Sequence, residues 1–208
     1  MPTAFDLSYL GDLIPPETTI GLAFEGSSVG MVAYTVTKEQ ELRPVKGTSN
    51  SLEMFCTPEV WWSYYEERTD LNAALAKLHY IATMARSTTV VIEGAKTKGL
   101  LRRELDLLFK ETGSVRVVEF ARTGGGYYKL EEVIFAVLAD IRSGQIGARP
   151  EFENRPEREE LMRHLGSIEA RDGGLTALQQ AFIYGMGYWS CAKQRPKYLV
   201  GPSNFPVY

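Results

Sequence analysis

Cysteine is nearly absent from this chain. Cys56 and Cys191 are the two present, far apart in sequence. No Cys-x-x-C pair occurs, so neither a zinc site nor a redox dithiol is supported. Two distant thiols read as reduced cysteines of a cytoplasmic protein rather than as a disulfide. Histidine is equally scarce. His79 and His164 have no cysteine or second histidine at ligand spacing, and they read as packed or half-exposed helix residues. No Gly-x-Ser-x-Gly elbow occurs, which leaves a serine hydrolase without support. Gly94-Ala95-Lys96-Thr97-Lys98-Gly99 lacks the Gly-Lys-Ser/Thr ending of a phosphate loop, and Gly124-Gly125-Gly126 is not a dinucleotide fingerprint. No run approaches the ~18 apolar residues of a membrane span, and the opening residues lack the basic start and apolar core of a secretory signal. A positive charge excess is missing too. With 23 Lys+Arg against 26 Asp+Glu, the formal charge is −3, so any nucleic-acid contact must rest on local patches. No internal repeat and no low-complexity tract is present.

What is there fits one soluble domain. The 208 residues suffice for one good-sized core. The organising stretch is Thr88–Ala95, Thr-Thr-Val-Val-Ile-Glu-Gly-Ala. Its apolar run reads as a strand buried on both faces. A carboxylate does not belong there without a purpose, and Glu93 stands at the C-terminal end, where open α/β sheets place their sites. Before this strand, residues 1–18 read as an N-terminal arm ending in Pro15-Pro16. Thr19–Glu25 and Val29–Thr37 read as a hairpin joined by Gly26-Ser27-Ser28, with a third strand edge near Leu42–Val45. Ser49–Glu59 reads as a loop in which Pro58 opens a helix. Asp70 is expected to cap a helix from Leu71 to about Arg86, with Leu71, Ala74, Leu75, Leu78, Ile81, Ala82 and Ala85 facing the core.

After Glu93 the spacing predicts a helix over Lys98–Thr112, stopped by Gly113, and a strand over Ser114–Phe120. Strand, helix, strand implies a parallel pair with a crossover. Leu130–Ser143 and Arg155–Leu165 read as helices, with a polar connection over Gly144–Pro156 between them. Leu175–Ala192 reads as a last helix packed tightly on the sheet, and 193–208 as an irregular tail. The expected fold is therefore α/β: a mixed sheet flanked by helices on both faces, over residues 19–192.

Three acids fall at element ends. Glu25 ends the first strand, Glu93 ends the central one, and Asp172 precedes the last helix. If the first and central strands are neighbours, Glu25 and Glu93 lie side by side. Clustered carboxylates raise one another's pKa unless a cation is bound, and oxygen ligands suit Mg²⁺ or Mn²⁺. Taken singly, each acid also reads as a solvated cap, Asp172 above all. Lys96, Lys98, Arg102 and Arg103 open the next helix, whose N-terminal amides favour anions. With Arg122 and Lys129 they form either a phosphate-holding strip or a solvated face. Tyr127 and Tyr128, beside three glycines, are candidates for base stacking. Trp61, Trp62, Tyr64 and Tyr65 read first as core or partner surface.

The chain resembles the RuvC-type Holliday-junction resolvases of the RNase H-like superfamily. Gly21-Leu22-Ala23-Phe24-Glu25-Gly26-Ser27 is similar to the family's opening strand, a Gly-Ile-Asp-Pro-Gly-Ser pattern. Val90-Val91-Ile92-Glu93 resembles the strand bearing its second acid, Val117–Ala121 the strand after it, and Asp172–Leu178 the start of its final helix. Aligned on Gly-Ser, the family's aspartate falls on Phe24, one step before Glu25. One step in a strand reverses the side chain, so Glu25 is expected to reach the site through a bend or bulge. The family's last acids fall on Gly173 and Thr176, with Asp172 one residue early. The resemblance implies an RNase H-like fold and a Mg²⁺- or Mn²⁺-dependent endonuclease on branched or structured DNA. It implies Glu93, Glu25 and Asp172 as metal ligands and catalytic residues, and a homodimer. Two alternatives accompany it: a non-catalytic RNase H-like module that binds nucleic acid or serves a structural role, and the nuclease domain of a viral DNA-packaging motor.

Overall fold

A computed structural model of the protein describes residues 14–36, 41–44, 52–55, 58–93, 99–120, 130–142, 146–168 and 174–188. Alternating apolar residues make β1 (Glu17–Glu25), and Gly26, at φ 60°, turns it into β2 (Ser28–Val36). β3 (Glu41–Pro44) and β4 (Leu52–Phe55) follow, then β5 (Pro58–Glu66), α1 (Leu71–Met84), β6 (Ser87–Glu93), α2 (Leu100–Leu108) and β7 (Val115–Phe120). The rest is helical but for β8 (Gly147–Ala148): α3 (Leu130–Arg142), α4 (Pro150–Glu153), α5 (Pro156–Leu165) and α6 (Ala177–Gly187).

The main sheet has six strands in the order β7-β6-β1-β2-β5-β8, and β3 and β4 pair apart from it. β1, β2 and β5 form an antiparallel meander; β6 lies parallel to β1, and β7 parallel to β6. The carboxyl ends of β1, β5, β6 and β7 therefore share one edge. Three antiparallel strands joined to two parallel ones, with helices over both faces, is the RNase H-like arrangement that the resemblance implied.

Period-two alternation sorts the side chains into two layers. Ile20, Leu22, Val90 and Ile92 pack against α1 and α2. Ala23, Val32, Tyr34 and Val91 pack against α3, α5 and α6. Every residue of α6 is buried, and at two glycines of the sheet the helix comes directly against strand backbone. A Cβ at Gly21 would stand 1.9 Å from the Ala181 carbonyl oxygen, and one at Gly30 would stand 2.4 Å from Ala177. The Tyr34 ring fills the space over Gly185, and its hydroxyl donates to the Phe182 carbonyl at 2.9 Å. Thr176 caps the helix in a reciprocal pair with Gln179.

Several expectations are corrected. The segment read as a helix from Pro58 is β5. Val60, Trp61, Trp62, Tyr64 and Tyr65 are strand formers, and proline is tolerated as the first residue of a strand. Trp61 is the extra residue of a bulge, since Tyr34 pairs with Val60 and Ala33 with Trp62. That places both tryptophans in the α1 layer, 5% and 4% exposed, as core residues. The third strand edge exists as β3, but outside the main sheet. Asp70 caps α1 as expected; Leu71, expected in the core, is exposed, and Lys77 is buried in the same helix. β1 begins two residues inside the expected arm. Cys56, Cys191 and the C-terminal tail lie outside the described residues.

Candidate active site at the carboxyl edge of the sheet

β1 and β6 deliver the two carboxylates. Their parallel register runs to the pair of Gly21 with Val91, and Ala23 and Glu93 each follow two residues on. Val91 and Ala23 face α6, so Glu93 and Glu25 point to that same side. Phe24 turns the other way and packs in the α1 layer. The pairing of β1 with β2 runs unbroken to Glu25–Ser28. The bulge expected for Glu25 is therefore absent. Its position already has the right parity, and the motif alignment, not the strand, was out of step. Glu93 is buried, at 4% exposure, while Glu25 reaches the surface.

Two side chains of α6 join the acids. The Gln180 amide donates from Nε2 to Glu25 Oε2 at 2.8 Å and to the Leu175 carbonyl at 2.8 Å. The Tyr184 hydroxyl bonds to Glu93 Oε2 and lies 3.2 Å from Gln180 Oε1. Glu25, Gln180, Tyr184 and Glu93 thus form one continuous hydrogen-bonded line. Beside it is a void of ≈ 10 Å³, lined in part by Phe24 and Leu101, with room for about one water-sized sphere. Gln180 and Tyr184 were not singled out from the sequence. Their signal was there: Thr176, Gln180 and Tyr184 recur every four residues, and Gln180 is a polar residue within an apolar helix.

Of the other candidates, Arg102 and Arg103 lie on the solvent side of α2, opposite buried Leu101 and Leu105. Arg102 is bonded to both carboxylate oxygens of Asp106 at 2.9 Å. That is the solvated helix pair rather than a guanidinium held toward Glu93. Asp172, Lys96, Lys98, Arg122, Tyr127, Tyr128 and Lys129 lie outside the described residues. The capping role considered for Asp172 belongs to Thr176. Among the described residues, no three acids, histidines or cysteines cluster as a metal centre, and no helix is long and apolar enough to cross a membrane.

Two further clusters border this edge. Behind β5, Tyr64 and Thr69 both bond to Glu66, and Lys77 Nζ stands 3.4 Å above the Tyr64 ring. Burial pulls the Lys77 ammonium down to about 8, with Glu66 acting in the opposite sense. Burial, then Glu66, pushes the Tyr64 phenol up. On the α6 side, the His164 ring rests on Tyr65 at 4.7 Å and its Nδ1 meets the Thr176 hydroxyl at 2.9 Å. Burial, then Arg163, holds this imidazole below its usual value. His79 stacks on Phe109. Both histidines are thus packed.

No protein-family profile matches the sequence, and no curated protein matches it. Solved structures do. The chain is similar to the human cytomegalovirus terminase nuclease domain soaked with manganese: TM-score 0.49, 12% identity, 85% of this chain and 83% of that one. It is also similar to Thermus thermophilus RuvC: TM-score 0.44, 14% identity, 85% of this chain and 95% of that one. Both likenesses concern the fold alone. The RNase H-like assignment rests on strand order and direction.

Proposed function

We propose that the protein is a divalent-metal-dependent nuclease whose acid site is built on Glu25 and Glu93. One observation carries this reading: two carboxylates end neighbouring parallel strands and face the same helix, with a polar side chain of that helix reaching each. The available donors are all oxygen, namely two carboxylates, the Gln180 carbonyl and the Tyr184 hydroxyl. Oxygen sets of this kind suit Mg²⁺ or Mn²⁺, which bind through one or two carboxylates and keep several waters. The residues therefore fit such an ion, with Glu25 and Glu93 as its holders and Asp172 as the third acid. When bound, the ion would supply electrophilic stabilisation of charge on a phosphodiester. The protein's own part is to fix the two carboxylates and to exclude bulk water from Glu93.

The substrate of this reading is DNA, branched or structured, taken by a homodimer. Lys96, Lys98, Arg103, Arg122 and Lys129 would contact phosphates, and Tyr127 and Tyr128 would stack on bases. Arg102 is a poorer candidate because Asp106 already occupies it.

A specific observation supports a second reading, a non-catalytic module. Gln180 and Tyr184 each hold one oxygen of a carboxylate by a hydrogen bond that needs no cation. One experiment separates the two. Melting curves are recorded with increasing MnCl₂, and junction, flap and linear DNA are incubated with the same ion. The nuclease reading expects about 2.7 kcal/mol of stabilisation at 100 times the Kd, and cleavage that Glu93→Gln abolishes. An unshifted melting curve together with intact DNA would establish the module instead.

A further inference from the structure

The two residues that join the acids have a role that hydrogen-bond satisfaction alone does not require. We infer that Gln180 and Tyr184 are positioning residues that set the geometry of the metal-binding carboxylates, so that α6 determines the site's affinity for the ion. This inference rests on the metal-dependent reading above.

Three features support it. First, α6 cannot drift. Gly21 and Gly30 let it sit on the strand backbones, and a capping box fixes its start. Gln180 and Tyr184 are 4% and 1% exposed. They are one helical turn apart and so project from one face of an immobile element.

Second, each holds a different acid. Gln180 has two amide hydrogens. One is spent on the Leu175 carbonyl, which locks the amide plane, and the other is directed at Glu25 Oε2. Without that lock, Glu25, at the exposed end of β1, would sample several rotamers.

Third, Tyr184 faces two acceptors, Glu93 Oε2 and Gln180 Oε1, and a phenol has a single hydrogen. Glu93 can therefore turn an oxygen toward an ion while the phenol keeps a partner in Gln180. Groups that orient ligands in this way commonly change metal affinity by 10–100-fold when removed.

The experiment measures binding of Mn²⁺ alone, from the amplitude of the free-ion electron paramagnetic resonance signal. It uses the full chain and the variants Tyr184→Phe and Gln180→Met, each with a metal-free melting curve. Tyr184→Phe removes one hydroxyl and is expected to weaken Mn²⁺ binding 10–100-fold. Gln180→Met keeps the length of the side chain and removes the amide that donates to Glu25. It is expected to weaken Mn²⁺ binding about tenfold, with no change in the charge of the site. A purely structural pair would lower the metal-free melting temperatures and leave the Mn²⁺ affinity of the folded chain unmoved.

If the wild-type chain binds Mn²⁺ and both folded variants bind it equally well, the inference is overturned and the nuclease reading stands. If the wild-type chain binds no Mn²⁺, the nuclease reading fails and takes this inference with it. Should Tyr184→Phe not fold, Gln180→Met decides alone.

Discussion

Gly21→Ala is a severe perturbation for a single methyl group. The added Cβ would stand 1.9 Å from the Ala181 carbonyl oxygen and 2.9 Å from both the Ala181 carbonyl carbon and the Gly185 nitrogen. All three are backbone atoms of α6, so no side chain can rotate away. Reaching the 3.4 Å of ordinary contact requires the helix and β1 to part by about 1.5 Å. On its other side α6 is held by α3 and α5, so a shift of that size opens the packing of a wholly buried helix. Overpacking usually costs 1–3 kcal/mol; with backbone on both sides of the clash, a loss of about 3 kcal/mol is expected. At ~2–4 °C per kcal/mol for a domain of this size, the melting temperature should fall by roughly 6–12 °C. Gly113→Ala is the control, because nothing lies within 4 Å of its added Cβ, and its effect should stay within about 0.5 kcal/mol. The readout is thermal denaturation followed by circular dichroism. Since Gln180 and Tyr184 flank Ala181 and ride on the same helix, folded Gly21→Ala should also bind Mn²⁺ more weakly. A variant that melts within a degree of wild type would refute the seating of α6 on β1, and with it the geometry of the site.

Tyr34→Phe removes a buried hydroxyl from the Phe182 carbonyl, and urea denaturation should show a loss of about 1 kcal/mol; no loss would mean that bond does not form. Thr176→Ala breaks the capping box of α6 at a cost of about 1 kcal/mol, which Thr176→Ser should largely restore; equal stabilities of the two variants would argue against the cap. For Lys77, burial puts the folded-state pKa near 8, below its ordinary 10.5. Between these values the unfolded chain holds a proton that the folded chain has released, so stability rises with pH across that window. Wild type should therefore gain on Lys77→Met from pH 8 to pH 10 in urea titrations, and a constant difference would refute the shift.

The main sheet was readable because its central strands announce themselves. Val90-Val91-Ile92 is an apolar run of strand formers closed by Glu93 and then a glycine, and β1 and β2 are separated by a tight Gly-Ser turn. Strand, helix and strand over residues 87–120 then fix the parallel sense by the crossover rule. β5 was misread because proline opens helices and strands alike. Two adjacent tryptophans hide the alternation that would have betrayed a strand, and the bulge at Trp61 that breaks it is a property of the pairing with β2. Lys77 in the core has a similar origin. Its stem lies along α1 while its ammonium rests on the Tyr64 ring, a contact made by a strand that the sequence did not reveal as one.

The acids were readable and their partners were not, for a physical reason. A carboxylate at the end of an apolar strand is costly unless used, so Glu93 stands out in one dimension. A glutamine and a tyrosine in a helix carry no such penalty in the sequence, because each is common in cores when hydrogen-bonded. Their meaning comes from register. Gly21 brings α6 close enough to β1 for a short amide to reach Glu25, and one helical turn carries Tyr184 to Glu93. The same register resolves the mismatch at Phe24. A motif alignment counts residues from Gly-Ser, but the sheet counts parity from Gly21, and parity puts Glu25 and Glu93 on one face. The glycine that admits the helix is thus as much a determinant of the site as either carboxylate.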